Sequence, residues 1–417
     1  MNKPHWVSPE NTTGKKGLAI KFALAVMIGL LLVTSLTGCV PKAPHEHFIA
    51  ALKLVNDLDY QEFVTKAAVR IQSDNPEYQK FYEIFNQVTF EITTKLDKVD
   101  RRFLFDLNLL YKGGNCGNLT FYCDLEKITA QSVFLGPKTF YINWNDLQQL
   151  IHKYFGFQVQ ITDYFPLLLE TDEKTWEQVE LAVYDFYTEY YRDKITAGDK
   201  QVKLSVMENG QEKIVPCKEL ILQMDQDDFA FEEMNRMLQG ILGNPAVRTL
   251  VKDKITQFIT IAKNNGDLAT WPITEEQIIA FRDNLDLKID HLLARMTAAI
   301  VQIETATPPT SFTKMDGKIY LDRKGLWRSM VAEQTMDITD PNTGEVSRST
   351  IMVEQSLINP GQKPAFPELL PATTVNVGQI SADEWATIAE DVSINFFTQV
   401  MLNPLIRDIV QLSTESE

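Results

Sequence analysis

Alternating apolar and polar positions dominate two parts of the chain and predict β-strands there. After a first strand around residues 63–71, three more alternating runs lie between Val88 and Leu125, separated by the turns DKVD and GGNCGN, and a strand pair is expected over 127–144. Glycine-rich or charged turns between such runs are typical of an antiparallel meander with one dry face. Strands resume after TPPTS, the first of them following an expected Asp316-Gly317 turn.

Helical spacing of apolar residues predicts helices in most of the remaining chain. The expected spans are 48–57, 75–85, 175–192, 229–242, 245–263, 274–302 and a last helix before Pro404. Thr274 with Gln277 and Ser381 with Glu384 have the spacing of a capping box, which marks a helix start. Between the helical regions, Asn209-Gly210 predicts a tight hairpin turn.

The combined pattern predicts an α+β protein whose curved, half-barrel-like antiparallel sheets are covered by helices. We expect two halves, 48–196 and 197–417. The phrases KTFYINWNDL and GKIYLDRKGL, one in each half, suggest that the halves are similar. Hairpin chemistry alone also produces such a phrase, so duplication stays open.

The N-terminus has the layout of an export signal. Lys15, Lys16 and Lys21 precede the uncharged run Phe22–Val33, which is shorter than the roughly 20 residues that span a bilayer. The following Leu-Thr-Gly-Cys resembles the bacterial lipobox, in which the cysteine thiol accepts a diacylglyceryl group. Residues 1–38 are therefore predicted to be a lipoprotein signal peptide, Cys39 the lipidated residue and 39–47 a short tether.

Charge limits the partners of the exported part. The net charge is −16, which argues against nucleic acid because such binding depends on lysine and arginine. It also argues against broad adhesion to anionic headgroups, so the acyl chains on Cys39 must provide the membrane attachment. The expected location is extracytoplasmic: the surface of a Gram-positive cell, or the outer membrane of a cell with two membranes.

Residue patterns of catalysis and metal binding do not occur. The chain lacks nucleophile-elbow, zinc-protease and phosphate-loop motifs, so we expect no enzymatic activity, no cofactor and no metal. His45 and His47 have a chelating spacing, but they lie in the expected tether without a third ligand. His152 and His291 lie in helical patterns and are interpreted as structural.

Two further sets of residues allow two interpretations each. Cys116 and Cys123 are candidates for a disulfide across a short turn; the alternative is that these and Cys217 are all free thiols. The first sheet is rich in phenylalanine, and these side chains are candidates to line an apolar ligand cavity or to fill an ordinary core: Phe90, Phe103, Phe105 and Phe121.

The lipobox, the meander FEITTKLDKVDRRFLFDLNLLYK and the segment KELILQMDQDDFAFEEMNRML together resemble a diffuse group of bacterial surface lipoproteins. Their architecture is similar to that of the lipoprotein-localisation carriers and the mycobacterial lipid-carrying lipoproteins, a half-open barrel plugged by helices. The resemblance implies binding or carriage of a hydrophobic ligand. The alternative function is a structural or adaptor lipoprotein that binds a neighbouring envelope protein. Cys39 alone matches a functional residue of such families.

Overall fold

The computed structural model describes residues 43–73, 75–169, 173–199, 201–226, 228, 231–304, 310–339, 344–367 and 374–415. In these residues the chain forms eleven α-helices and thirteen strands, and all the strands belong to one large sheet. Because nearly all strand pairs are antiparallel and helices fill the intervening stretches, the predicted α+β class is confirmed. The sheet is open and does not close into a barrel.

The N-terminal elements follow the predicted meander closely. They are α1 Pro44–Asn56, β1 Tyr60–Ser73, α2 Pro76–Phe85, β2 Val88–Asp97, β3 Arg102–Tyr111, β4 Gly114–Cys123, β5 Lys127–Gln131 and β6 Thr139–Asn143. Helix α1 begins at Pro44, so residues 44–47 of the expected tether are helical.

The middle of the chain is mostly helical. Its elements are α3 Trp144–Phe155, a 3-10 turn Ile161–Tyr164, α4 Phe165–Leu169, α5 Glu173–Tyr190, β7 Ile195–Ala197, β8 Val202–Glu208, β9 Gln211–Asp225, α6 Phe231–Gly243, α7 Pro245–Asn265, a 3-10 turn Asp267–Ala269, α8 Glu275–Asp283 and α9 Leu285–Glu304. The hairpin between β8 and β9 turns at Asn209-Gly210, where both residues have positive φ, as predicted.

The C-terminal part returns to strands and ends in two helices. Its elements are β10 Thr310–Asp322, β11 Trp327–Thr339, β12 Val346–Ile358, β13 Thr374–Asn376, α10 Ala382–Leu402 and α11 Pro404–Glu415. The predicted capping boxes form at Thr274 with Gln277 and at Ser381 with Glu384.

Strands from both expected halves share the sheet. The order is β13-β6-β5-β4-β3-β2-β1-β12-β11-β10-β9-β7, with β8 paired to β9. Ala67 of β1 lies opposite Phe90 of β2 on one side and Val353 of β12 on the other. The division at residue 196 stays a prediction about domains, but the sheet continues across it, and β7 spans that boundary.

Helices α1 and α5 cover one face of the central strands. Leu220, Ile319 and Leu357 of three strands are fully buried beneath them. The ring of Phe48 in α1 meets Tyr191 edge-on with 5.3 Å between centroids. Tyr191 directly follows α5, so this contact joins α1 to the end of α5 within the main core, where buried side chains of both helices and the strands pack together.

Two local predictions were wrong. Asp316-Gly317 is not a turn but lies within β10, where Gly317 is opposite Leu222 of β9 and Ala332 of β11. Pairing on both sides outweighs the local turn preference of the dipeptide. The real turn follows at Asp322, whose Oδ1 accepts backbone N–H bonds from Lys324 and Leu326.

The second error concerns the helix expected over 274–302. It breaks at Asn284 into α8 and α9, with the Asn284 side-chain amide donating to the Ala280 carbonyl at 2.7 Å. Asparagine competes for backbone groups in this way and favours helix ends. The two repeated phrases also lie in different surroundings, since β6 leads into helix α3 whereas β10 leads into a hairpin.

Gly378 joins the C-terminal segment to α3, and we expect Gly378→Ala to destabilise the fold by about 2 kcal/mol. An added Cβ would collide with the Cβ of Asp146. The buried Asp146 carboxylate accepts hydrogen bonds from Asn376 at 2.7 Å and Gln379 at 3.4 Å, so displacing it loosens β13. Denaturant unfolding of the purified variant measures the effect.

Gly243→Ala is the matched control for this variant. No atom lies within 4 Å of the added Cβ at the end of α6, so this change should be neutral or slightly stabilising. Equal stability of the two variants would show that the contact between Gly378 and Asp146 does not constrain the fold.

Candidate functional site

The four predicted phenylalanines share one face of the sheet, as expected from their alternation. Phe105 lies directly opposite Phe121, and Phe90 lies opposite Leu109. Phe90 packs with Val88, Tyr111 and Cys116 in a small cluster, whereas Phe103 at the other end is 37% exposed. The four rings therefore share one face of the sheet, but Phe90 is packed in a small core whereas Phe103 is exposed to solvent.

The cysteines do not form the candidate disulfide. Cys116, Cys123 and Cys217 are free thiols. Cys116 and Cys123 lie seven positions apart on the single strand β4, which separates them by roughly 20 Å at strand rise. A disulfide needs Cα atoms about 5.5 Å apart. Burial raises the pKa of both thiols, which keeps them protonated and unreactive near neutral pH.

An apolar groove of about 1760 Å³ lies instead among the helices of the middle region. Its walls are the segment 157–167, one face of α7, the loop 271–273, and parts of α8 and α9. The residues lining it are Phe157, Val159, Ile161, Tyr164, Phe165, Leu167, Leu250, Val251, Lys254, Ile255, Phe258, Trp271, Pro272, Ile273, Gln277, Ile278, Ala280, Phe281, Asn284, Leu287, Lys288 and His291. We call this surface the helical groove.

Three aromatic side chains close one end of the helical groove. Phe258 of α7 lies 5.4 Å from Tyr164 and 5.3 Å from Trp271, measured between ring centroids. The Trp271 indole N–H donates to the Gln158 carbonyl at 2.9 Å, which ties the loop to the segment 157–167. The aromatic end is thus a rigid, packed wall.

Tyr164 anchors this wall from beneath. Its buried hydroxyl donates to Oδ2 of the buried Asp267 at 2.6 Å. Burial and the bond to Asp267 both raise the pKa of Tyr164, so the hydroxyl keeps its proton and remains the donor. The ring rather than the hydroxyl is therefore the part offered to the groove.

Charged pairs hold the helices on the outer side of the helical groove. Arg248 of α7 contacts Asp290 of α9 at 2.6 Å, and Lys252 contacts Asp286 at 2.5 Å. Lys263 at the end of α7 contacts Glu275 of α8 at 2.9 Å. Exposed pairs of this kind each contribute only about 0.2–1 kcal/mol to the free energy of unfolding. Their main effect is therefore on the spacing of the helices.

No element was predicted for the groove wall 157–167. A signal did exist in the alternation of Phe155, Phe157, Val159 and Ile161, followed by the apolar run at 165–169. Alternation without a partner strand favours an apolar segment packed on helices. His291, interpreted as structural, lines the groove, whereas His152 does not.

His45 and His47 lie in helix α1 rather than in a tether. His45 is buried, and burial together with Lys218 lowers the pKa of His47. In the part of the chain that the structure describes, no three His, Cys, Asp or Glu residues are grouped to hold a metal ion. Two histidines two positions apart on a helix point to different sides, so His45 and His47 are not placed to bind one metal ion together.

Cys39 and the predicted signal peptide lie outside the described residues. Among the described helices, none combines the length and the apolar character needed to cross a membrane.

No protein-family model matches the chain, and neither the curated proteins nor the solved structures contain a significant match to it. The resemblance to lipid-carrying lipoproteins stays a prediction, and the argument for function rests on the helical groove.

Proposed function

We propose that this chain is a lipid-anchored, extracytoplasmic protein without enzymatic activity that binds a hydrophobic molecule in the helical groove. The observation behind the proposal is an open apolar surface of about 1760 Å³ whose walls come from four separate helical elements and a loop. Ile273, Phe281 and Leu287 contribute exposed apolar side chains to it. A continuous apolar surface of this kind on a folded domain is typical of a binding site.

Size and shape favour a lipid over a compact small molecule. Pockets for drug-sized ligands usually measure roughly 300–1,000 Å³, and this groove is larger and open along its length. An acyl chain gains about 0.8 kcal/mol for each CH₂ that it buries. A long apolar groove therefore yields useful affinity for acyl chains without any specific polar contact.

The proposed location differs from the one favoured by the phenylalanine pattern. That pattern suggested a cavity between sheet and helices, whereas the core beneath α1 and α5 contains packed large side chains such as Trp327 and Tyr191. The helical groove, by contrast, is an open apolar surface large enough for an acyl chain. The anchor at Cys39 would hold this groove near a membrane, where lipid ligands are found.

A photoactivatable residue at Leu287 in the full-length chain, cross-linked in living cells, tests the proposal. We expect a lipid adduct at this position, identified by mass spectrometry of the purified protein. Ile214 of β9 is the matched control, because it is aliphatic and 57% exposed against 55% for Leu287 but does not line the groove. Lipid at both sites alike, or at neither, would contradict the proposal.

An adaptor function is the second candidate, and the exposed face of α10 favours it. Ile394, Phe397, Met401 and Leu402 are all largely exposed on this helix. Such a face suits a neighbouring envelope protein. A protein adduct at Leu287 in place of a lipid would support this function, because amphipathic helices also occupy apolar grooves.

A further inference from the structure

We infer that the ligand of the helical groove is an anionic phospholipid whose phosphate lies beside Lys288 and His291. The inference rests on the proposed function and adds the chemical class of the ligand and its direction in the groove. Two features of the groove support it: the sign of its charged lining and the separation of its basic end from its aromatic end.

The ionisable side chains other than tyrosine that line the helical groove belong to basic residue types. They are Lys254 of α7 with Lys288 and His291 of α9, and no aspartate or glutamate belongs to the lining. The whole chain has a net charge of −16, yet the lining of this groove has no carboxylate. A basic lining favours a ligand with a negative group.

Contacts between the helices show which residues of α7, α8 and α9 lie level with one another along the groove. Arg248 meets Asp290, Lys252 meets Asp286, and Arg282 donates to Thr256 at 3.4 Å. In these contacts, higher residue numbers on α7 pair with lower residue numbers on α9 and α8. Helix α7 therefore runs antiparallel to both. The Cα of Lys288 therefore lies level with the first turns of α7, about 12 Å along the helix axis from the Cα of Phe258.

The two ends of the groove consequently differ in chemistry. The basic end has Lys288 and His291, whereas the far end has Phe258, Trp271 and Tyr164. Lys254 lies between them, one turn of α7 before Phe258. An amphiphile would place its acyl chains against the aromatic end and its charged group at the basic end. This arrangement buries apolar surface and leaves the headgroup at the open rim.

Neighbouring carboxylates do not neutralise the basic end. Asp286 and Asp290 of α9 are engaged by Lys252 and Arg248 on the outer side of the helices. The Lys288 ammonium instead lies 5.3 Å from the ring centroid of Phe281, a groove residue. Within the described residues, no ion pair joins Lys288 or His291 to a carboxylate, which leaves both available to a phosphate.

The test uses full-length protein with a photoactivatable residue at Ile273, mixed with vesicles of equal parts phosphatidylglycerol and phosphatidylcholine. Ile273 lies on the loop that carries Trp271 of the aromatic end. We expect phosphatidylglycerol adducts to exceed phosphatidylcholine adducts about fivefold, the effect of one well-placed exposed charge contact. Lys288→Glu should reduce the ratio to about one or lower.

Lys324→Glu in the exposed turn after β10 is the control, since it makes the same change in net charge outside the groove. It should keep the fivefold ratio. Equal adducts of both phospholipids in the unmodified protein would overturn the inference while leaving the proposed function in place. Absence of any lipid adduct would overturn the proposed function itself. Complete displacement by an equal concentration of oleate would show that the ligand is a single-chain acid.

Discussion

Replacing both Ile273 and Leu287 with aspartate should lower the amount of lipid bound by the full-length protein at least about tenfold. Both side chains are exposed apolar parts of the helical groove, so the change removes apolar contact area. It also places two carboxylates where an acyl chain would have to exclude water from them, and burying an unpaired charge is strongly unfavourable. Mass spectrometry of organic extracts, normalised to protein, measures the loss.

Stability should hardly change in the same variant, because exposed substitutions away from special features usually stay within about 0.5 kcal/mol. Ile214→Asp, an equally exposed position on β9, is the control and should bind lipid like the unmodified protein. Undiminished lipid in the double variant, with unfolding also unchanged, would exclude the groove as the binding site. A loss shared by the control would point to an effect of charge alone.

Local sequence signals were sufficient where a segment has strand partners close in the chain. The meander β2 to β4 follows directly from alternation and turn residues, and its register places Phe105 opposite Phe121. The pairing of β1 with β12 joins residues almost 300 positions apart, such as Ala67 and Val353. No periodicity in one strand identifies such a distant partner, so the single sheet could not be predicted.

Periodicity also identifies a face without showing what covers it. The alternation correctly predicted that the phenylalanines share a face, but Phe90 is packed in a cluster while Phe103 is 37% exposed. On α7, the apolar positions 250, 251, 255 and 258 are typical of a core helix, and they line the helical groove. The difference between a filled and an open interior depends on how helices far apart in sequence are spaced.

The break at Asn284 illustrates how the site depends on such spacing. A single helix over 274–302 would keep Ile278 and Leu287 on one straight axis. The chain instead forms two helices, α8 and α9, and both contribute residues to the groove. Asparagine permits this break, but the sequence does not specify how the two helices pack against α7.

Asp97→Ala should destabilise the protein by about 3 kcal/mol, the largest effect that we expect from a single substitution in the sheet. Asp97 ends β2 and is 0% exposed. One of its carboxylate oxygens accepts the backbone N–H of Asp100 at 2.8 Å, and the other accepts the Arg102 guanidinium at 2.6 Å. Alanine would leave the partly buried Arg102 with only the more exposed Asp100 as a counter-charge and would leave the turn without its cap. Denaturant unfolding at pH 7 measures the loss.

The same carboxylate should make stability fall in acid. Burial by itself would raise the pKa of Asp97, but the Asp100 N–H bond, Arg102 and Lys363 together lower that pKa below its usual range. A group with a depressed pKa in the folded state stabilises above its unfolded pKa of about 3.9 and loses this contribution as the pH falls through the folded value. Asp97→Asn should therefore be less stable than the unmodified protein at pH 7, and the gap should narrow below about pH 4. Asp100→Asn, a more exposed partner of Arg102, should change stability by less than about 1 kcal/mol at either pH. A constant gap for Asp97→Asn across this pH range would show that the charge of Asp97 does not stabilise the turn.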